Sequence, residues 1–178
     1  AFSHGAPVIA RAQQPMADPE SSAAPAWSLN ALSPLDGRYT AQVEPLRRTF
    51  SEAALIRYRV LIEVEWLLAL AADPMVHGIG PFSTESIAHL RGLATHFDDT
   101  GAARVKAIER TTNHDVKAVE YWLREQTTAQ PQIAAAAEFW HFACTSEDIN
   151  NIAYSLMLRD ARDQVLLPEV DRLIAALV

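Results

Sequence analysis

A long helical period opening at Ser51-Glu52 constrains this chain more than any other feature. Leu55, Tyr58, Ile62, Trp66 and Leu70 recur three or four residues apart, the spacing that stacks side chains on one face of an α-helix. A strand would alternate every two residues, and no segment with that period stands out. Asp73-Pro74 ends the pattern, because the residue before a proline is pushed away from helical conformation. After a Gly/Pro loop around Gly78-Ile79-Gly80-Pro81, the period returns from Ser83 or Thr84 through Ile87, Leu90, Leu93 and Ala94. It returns briefly from Ala102 to Ile108. The expected fold class is all-α.

Two later helices have readable starts. Thr112 and Asp115 have capping-box spacing, which predicts a helix from Thr112 to about Glu125 with Val116, Val119, Trp122 and Leu123 as its apolar stripe. Pro131 marks a break. Phe139, Trp140, Phe142 and Cys144 read as core. Thr145 and Asp148 repeat the capping spacing, and Glu147 and Asp148 put two acids in the first turn. That helix should run through Ile149, Ile152, Leu156 and Leu158, be kinked or interrupted at Pro168, and resume with Val170, Leu173, Ile174 and Leu177. The apolar run Leu173 to Val178 lacks the Gly, Pro or basic residues of a helix stop, so the helix is expected to be cut there.

Composition narrows the classes of function. The net charge of −7 argues against a broad nucleic-acid-binding face, which needs clustered Lys and Arg. No apolar run approaches the ~20 residues that span a bilayer. The single cysteine, Cys144, allows no internal disulfide and is compatible with a reducing cytoplasm. Residues 1–28, rich in Ala, Pro and Ser, read as a disordered arm without the apolar core of a secretory signal. Met16 is a candidate natural start.

Three polar clusters interrupt the apolar pattern: Asp36-Gly37-Arg38-Tyr39, Thr112-Asn113-His114-Asp115 and Thr145-Ser146-Glu147-Asp148. The last two fall at expected helix N-termini, where free N–H groups and a partial positive charge favour phosphate or carboxylate. The hydroxyls of Thr145 and Ser146 can add donors, and the Arg38 fork can grip an anion. His114 can titrate near neutrality and serve in proton transfer or hydrogen bonding. Each cluster also has a plainer reading, as caps or as a solvated turn. Glu138 and His141 have the Glu-x-x-His spacing of di-iron bundles, but no second such pair occurs, and no metal is expected. His4, His77, His89 and His96 look exposed and carry no motif.

Taken together and in order, the clusters resemble a known family. Ser33 to Tyr39, Glu109 to Glu120 and Phe142 to Asn151 are similar to bacterial-type adenylosuccinate lyases. The Thr-Ser-x-Asp-x-x-Asn portion alone indicates only the wider fumarase/aspartase superfamily. The resemblance covers about Leu29 to Val178. It implies a β-elimination that releases fumarate from adenylosuccinate, giving AMP, and from the succinyl-carboxamide ribotide, with no metal or organic cofactor. It implies a cytoplasmic homotetramer whose small-molecule partner is a purine nucleotide. Carried over, Arg38 and Tyr39 would bind the nucleotide, and Asn113, His114 and Asp115 would line the same site, with His114 in a supporting role. Thr145 and Ser146 would contact succinyl or phosphate oxygens. The family's Thr-His-Gly-Gln segment and its Ser-Ser-x-Met-Pro-x-Lys-x-Asn loop, which supply the main acid and base, are not in this sequence. The expectation is an N-terminal helical domain over 29–133 and, over 134–178, the start of a central helical bundle, inactive by itself. Two other readings stay open: another fumarate-releasing lyase such as argininosuccinate lyase, and a non-catalytic helical interaction module.

Overall fold

The computed structural model describes residues 30–178; the arm expected over 1–28 lies outside the described residues. The chain divides after Gln42. In the first unit, the described residues form consecutive turns. Asp36 Oδ1 accepts from both the backbone N–H and the hydroxyl of Ser33, and the Tyr39 N–H donates to Pro34 O.

Among the described residues the second unit, Val43–Val178, is entirely helical, as the periodicity predicts. A short α1 (Arg47–Phe50) precedes α2 (Glu52–Ala72), capped by Ser51, whose hydroxyl accepts from the Ala54 N–H. Asp73 ends α2 in extended conformation, ahead of Pro74. Helix α3 (Thr84–Thr95) starts on the Ser83 cap.

The brief period at Ala102 to Ile108 is part of a longer helix, α4 (Asp99–Thr112), opened by the Asp98 carboxylate accepting from Gly101 N–H. Helix α5 (Asp115–Thr127) follows after two residues. Here the expected cap is wrong. Thr112 is the last residue of α4, and its hydroxyl donates to the carbonyls of Glu109 and His114. Asn113 ends that helix in the left-handed conformation, φ 51°, which asparagine tolerates better than most residues. His114 is then the extended residue before the first turn. Its Nδ1 accepts from Lys117 N–H at 3.2 Å and caps α5. Pro131 opens the short α6 (Pro131–Ala135).

The Thr145–Asp148 capping box is formed as predicted and starts α7 (Ser146–Ala161). Pro168 does interrupt this helix, but through a widened turn. Residues Arg162–Leu166 form a π-helical stretch and α8 (Leu167–Leu177) continues from it. Proline cannot donate an N–H, and its ring crowds the carbonyl four residues earlier; the π turn lies over that carbonyl's position.

The α2 helix is a spine between two cores rather than one stripe against a single core. On one side Ile56, Val60, Val64, Leu67 and Ala71 pack with residues of α3, α4 and α5, including Leu90, Val105, Val119 and Leu123. On the other, Tyr58 and Ile62 pack with Val116 and with Ile149, Ala153 and Met157 of α7. Burying both sides of a helix removes the simple amphipathic signature. Of the aromatic segment read as core, Trp140 is buried, whereas Phe142 is exposed. Its ring rests beside Phe139 and its carbonyl accepts from Trp66 Nε1–H at 2.8 Å. Cys144 is half-buried against the smaller core. Leu156 also packs there, while Ile152, Leu158, Val170, Leu173 and Ile174 are exposed, and α8 has no buried residue.

Candidate functional site

The α4–α5 corner and the α7 N-terminus meet. His114 Nε2 lies 3.5 Å from Ser146 Oγ. The Lys117 N–H can only donate, so His114 Nδ1 accepts and the ring proton of the neutral imidazole is assigned to Nε2. Nε2–H therefore faces the start of α7. Ser146 and Glu147, the first two residues of α7, have backbone N–H groups with no intrahelical acceptor. These donors, with the Ser146 hydroxyl and His114 Nε2–H, form an anion-receptive cluster built from two helices.

The Thr145 hydroxyl is already engaged. It accepts from Asp148 N–H at 3.4 Å and donates to Asp148 Oδ2 at 3.0 Å, while Thr145 N–H donates to the same oxygen at 2.7 Å. These bonds, the backbone one first, hold the Asp148 carboxyl below its ordinary range. Asp115 is similarly committed. Its Oδ1 accepts from Val116 N–H at 2.9 Å and its Oδ2 from Arg59 Nη2–H at 2.7 Å. Burial alone would raise its pKa; the Val116 N–H and the Arg59 charge outweigh burial and lower it.

Beside His114 opens a cavity of ≈ 570 Å³, lined also by Lys106, Arg110 and Asn113. Lys106 is held between Glu52 at 3.0 Å and Glu109 at 2.6 Å. Among the described residues Arg110 makes no ion pair, and it is exposed beside this cavity.

In the first unit, the Arg38 guanidinium stacks 4.7 Å from the centre of the Tyr39 ring. The stack pairs a bidentate donor with an aromatic face, which suits a base or phosphate.

Buried charged residues escaped the sequence reading. They are Arg59 and Glu63 on α2, one turn apart and 3% and 0% exposed; a third, Glu120 on α5, is 2% exposed and pairs with Lys117 and Arg124. Glu63 accepts from the His141 backbone N–H at 3.1 Å and pairs with His141 Nδ1 at 2.6 Å. Burial pushes the Glu63 carboxyl up, and His141 offsets this only in part. The Glu-x-x-His spacing does not bring its two side chains to one point: Glu138 binds Arg124 at 2.9 Å, away from the His141–Glu63 pair. The available signal was two adjacent pairs, Tyr58-Arg59 and Ile62-Glu63, which place charges beside stripe residues on a helix with little polar face.

An all-helical protein in which the N-termini of two helices bring His114 and Ser146 together is the class that fold and site define. Residues 37–178 match the model of the lyase family, and the chain belongs to that family. It is 54% identical over 147 residues to the adenylosuccinate lyase of Haemophilus influenzae, covering 83% of this chain and 32% of that protein. Over 150 residues it is 50% identical to the Vibrio cholerae adenylosuccinate lyase, with 84% and 33% covered. Against the Escherichia coli K12 adenylosuccinate lyase it is 52% identical over 141 residues, with 79% and 31% covered. The chain thus spans about a third of the length of the curated relatives it matches.

Proposed function

We propose that this chain is the substrate-binding N-terminal part of an adenylosuccinate lyase, a C–N lyase that releases fumarate. The observation that carries the reading is the placement of His114 Nε2 against Ser146 Oγ at 3.5 Å, across two helix N-termini. Adenylosuccinate brings two carboxylates and a phosphate to its binding site, and β-elimination places further negative charge on the succinyl carboxylate as the proton beside it leaves. Fixed N–H and O–H donors aimed at that charge stabilise the transition state. Ser146 Oγ, its N–H and His114 Nε2–H are such donors. Arg38 and Tyr39 would hold the nucleotide, and Asn113 would line the site. The main acid and base would come from sequence outside these 178 residues. Residues 134–178 would begin the central helical bundle of a cytoplasmic homotetramer.

No helix among the described residues is long and apolar enough to cross a membrane. Similarity to three adenylosuccinate lyases at 50% identity or more supports this substrate over argininosuccinate.

Fumarate release by the full-length protein tests the reading, with adenylosuccinate and argininosuccinate as alternative substrates. Turnover of adenylosuccinate alone is expected; turnover of argininosuccinate instead, or of neither, overturns it. Calorimetry with AMP adds a check on Arg38. Arg38→Ala should lose about 1.5–3 kcal/mol of binding, the scale of a charged hydrogen bond. The isolated 178-residue segment should release no fumarate.

A further inference from the structure

The buried Arg59 sits on the spine helix between the two cores, and its fork reaches two different helices. Nη2–H donates to Asp115 Oδ2 at 2.7 Å, and Nε–H to Asn150 Oδ1 at 2.9 Å. Asp115 opens α5 immediately after His114, and Asn150 lies one turn into α7 after Ser146. One guanidinium therefore ties both N-termini of the cleft to a single point of α2. One turn further along, Glu63 fastens His141, in the loop that enters α7. That loop holds His141 at φ 58° and Ala143 at φ 59°, left-handed conformations that persist in non-glycine residues only where the surroundings impose them.

We infer that Arg59 is a positioning residue of the substrate site: its planar fork sets the separation of the α5 and α7 N-termini, and so places His114 Nε2 opposite Ser146 Oγ. This rests on the reading of that cleft as the substrate site. Three physical points support it. A buried cation must keep its partners, and among the described residues the Arg59 Nε–H and Nη2–H find theirs on these two helices, so holding both bonds fixes the helices' spacing. Well-packed apolar side chains are often at least as stabilising in such interiors, so stability alone does not call for an arginine here. The guanidinium presents its donors in fixed directions, whereas a lysine ammonium is a point charge that reproduces neither the fork nor its reach. Asp115, with both oxygens committed within the protein, acts in this scheme through Arg59.

The test uses the full-length protein with Arg59→Met and Arg59→Lys. For Arg59→Met, KM for adenylosuccinate should rise about tenfold or more, with a smaller change in kcat, because ångström-scale misplacement of binding groups is costly. Crystal structures should show the His114 Nε2–Ser146 Oγ separation widened beyond 3.5 Å, with α7 still docked on α2. Arg59→Lys should fall between wild type and Arg59→Met in both readouts, and it decides the matter if Arg59→Met does not fold. A folded variant with unchanged separation and unchanged KM overturns the inference, as does a lysine variant with wild-type KM. If wild-type protein releases no fumarate, the substrate reading alone falls, and the separation measured in the variant crystals still decides what Arg59 does.

Discussion

The imidazole of His114 has its Nδ1 committed to the α5 cap, which leaves Nε2 as its outward-facing group. The two roles separate by mutation. Asparagine is among the best N-caps but carries no atom at the Nε2 position. His114→Ala should therefore cost about 1 kcal/mol in denaturant unfolding, while His114→Asn stays within about 0.5 kcal/mol of wild type. Under the proposed function, both should raise KM for adenylosuccinate in the full-length protein. A stable His114→Asn with normal KM would leave His114 only its cap. Glu63 makes a second residue-level prediction. Its pKa is raised in the fold by burial, so the folded state holds a proton that the unfolded state gives up earlier. Its contribution is fully present below the ordinary glutamate range and is lost as pH rises through the raised value. Asp115 and Asp148 have the opposite sign: their stabilisation is present above the ordinary aspartate range and lost as pH falls through their lowered values. Unfolding free energy followed against pH should thus lose its decline on the alkaline side of the glutamate range in Glu63→Gln, and keep its acid limb.

At the scale of elements, what the sequence reveals depends on whether a signal is local. Ser51, Ser83 and Thr145 announce their helices because a short hydroxyl three residues ahead of a free N–H is itself the cap. Thr112 has the same spacing to Asp115 yet caps nothing, because the left-handed turn at Asn113 shifts the helix start by two residues. A histidine cap has no such local signature. The Ser146 and His114 segments were legible as polar interruptions, but their meeting was not, since it depends on how α7 docks on α2. Arg59 and Glu63 were hidden for the same reason: they are polar only along the seam between two cores. That two-sided burial of α2 can be checked. Leu67 faces the larger core and Ile149 the smaller, at 0% and 1% exposure. Leu67→Ala and Ile149→Ala should each cost about 2–5 kcal/mol in unfolding free energy. If only Leu67→Ala is costly, α7 is a loose appendage rather than the second wall of the spine.

At the scale of the whole molecule, α7 and α8 present an apolar row with nothing packed on it among the described residues. Ile152, Leu158, Val170, Leu173 and Ile174 are each about half exposed or more. Large apolar side chains left exposed in this number mark an interaction face or an aggregation liability. Under the proposed assembly, the row is where the rest of the helical bundle, from the same chain and from other copies, closes over the segment. The helix itself argues for that. The π turn at Arg162–Leu166 leads from α7 straight into α8 with no intervening loop. The isolated 178-residue segment should then self-associate on size-exclusion chromatography and bind a hydrophobic dye. Leu173→Lys with Ile174→Lys should reduce both in the segment, because two charges on the row make its burial costly. If the full-length protein is the proposed tetramer, the same pair of substitutions should shift it toward smaller species and lower turnover with it. A full-length double variant that remains tetrameric and active would place this face outside the assembly and leave the apolar row without the role argued for it.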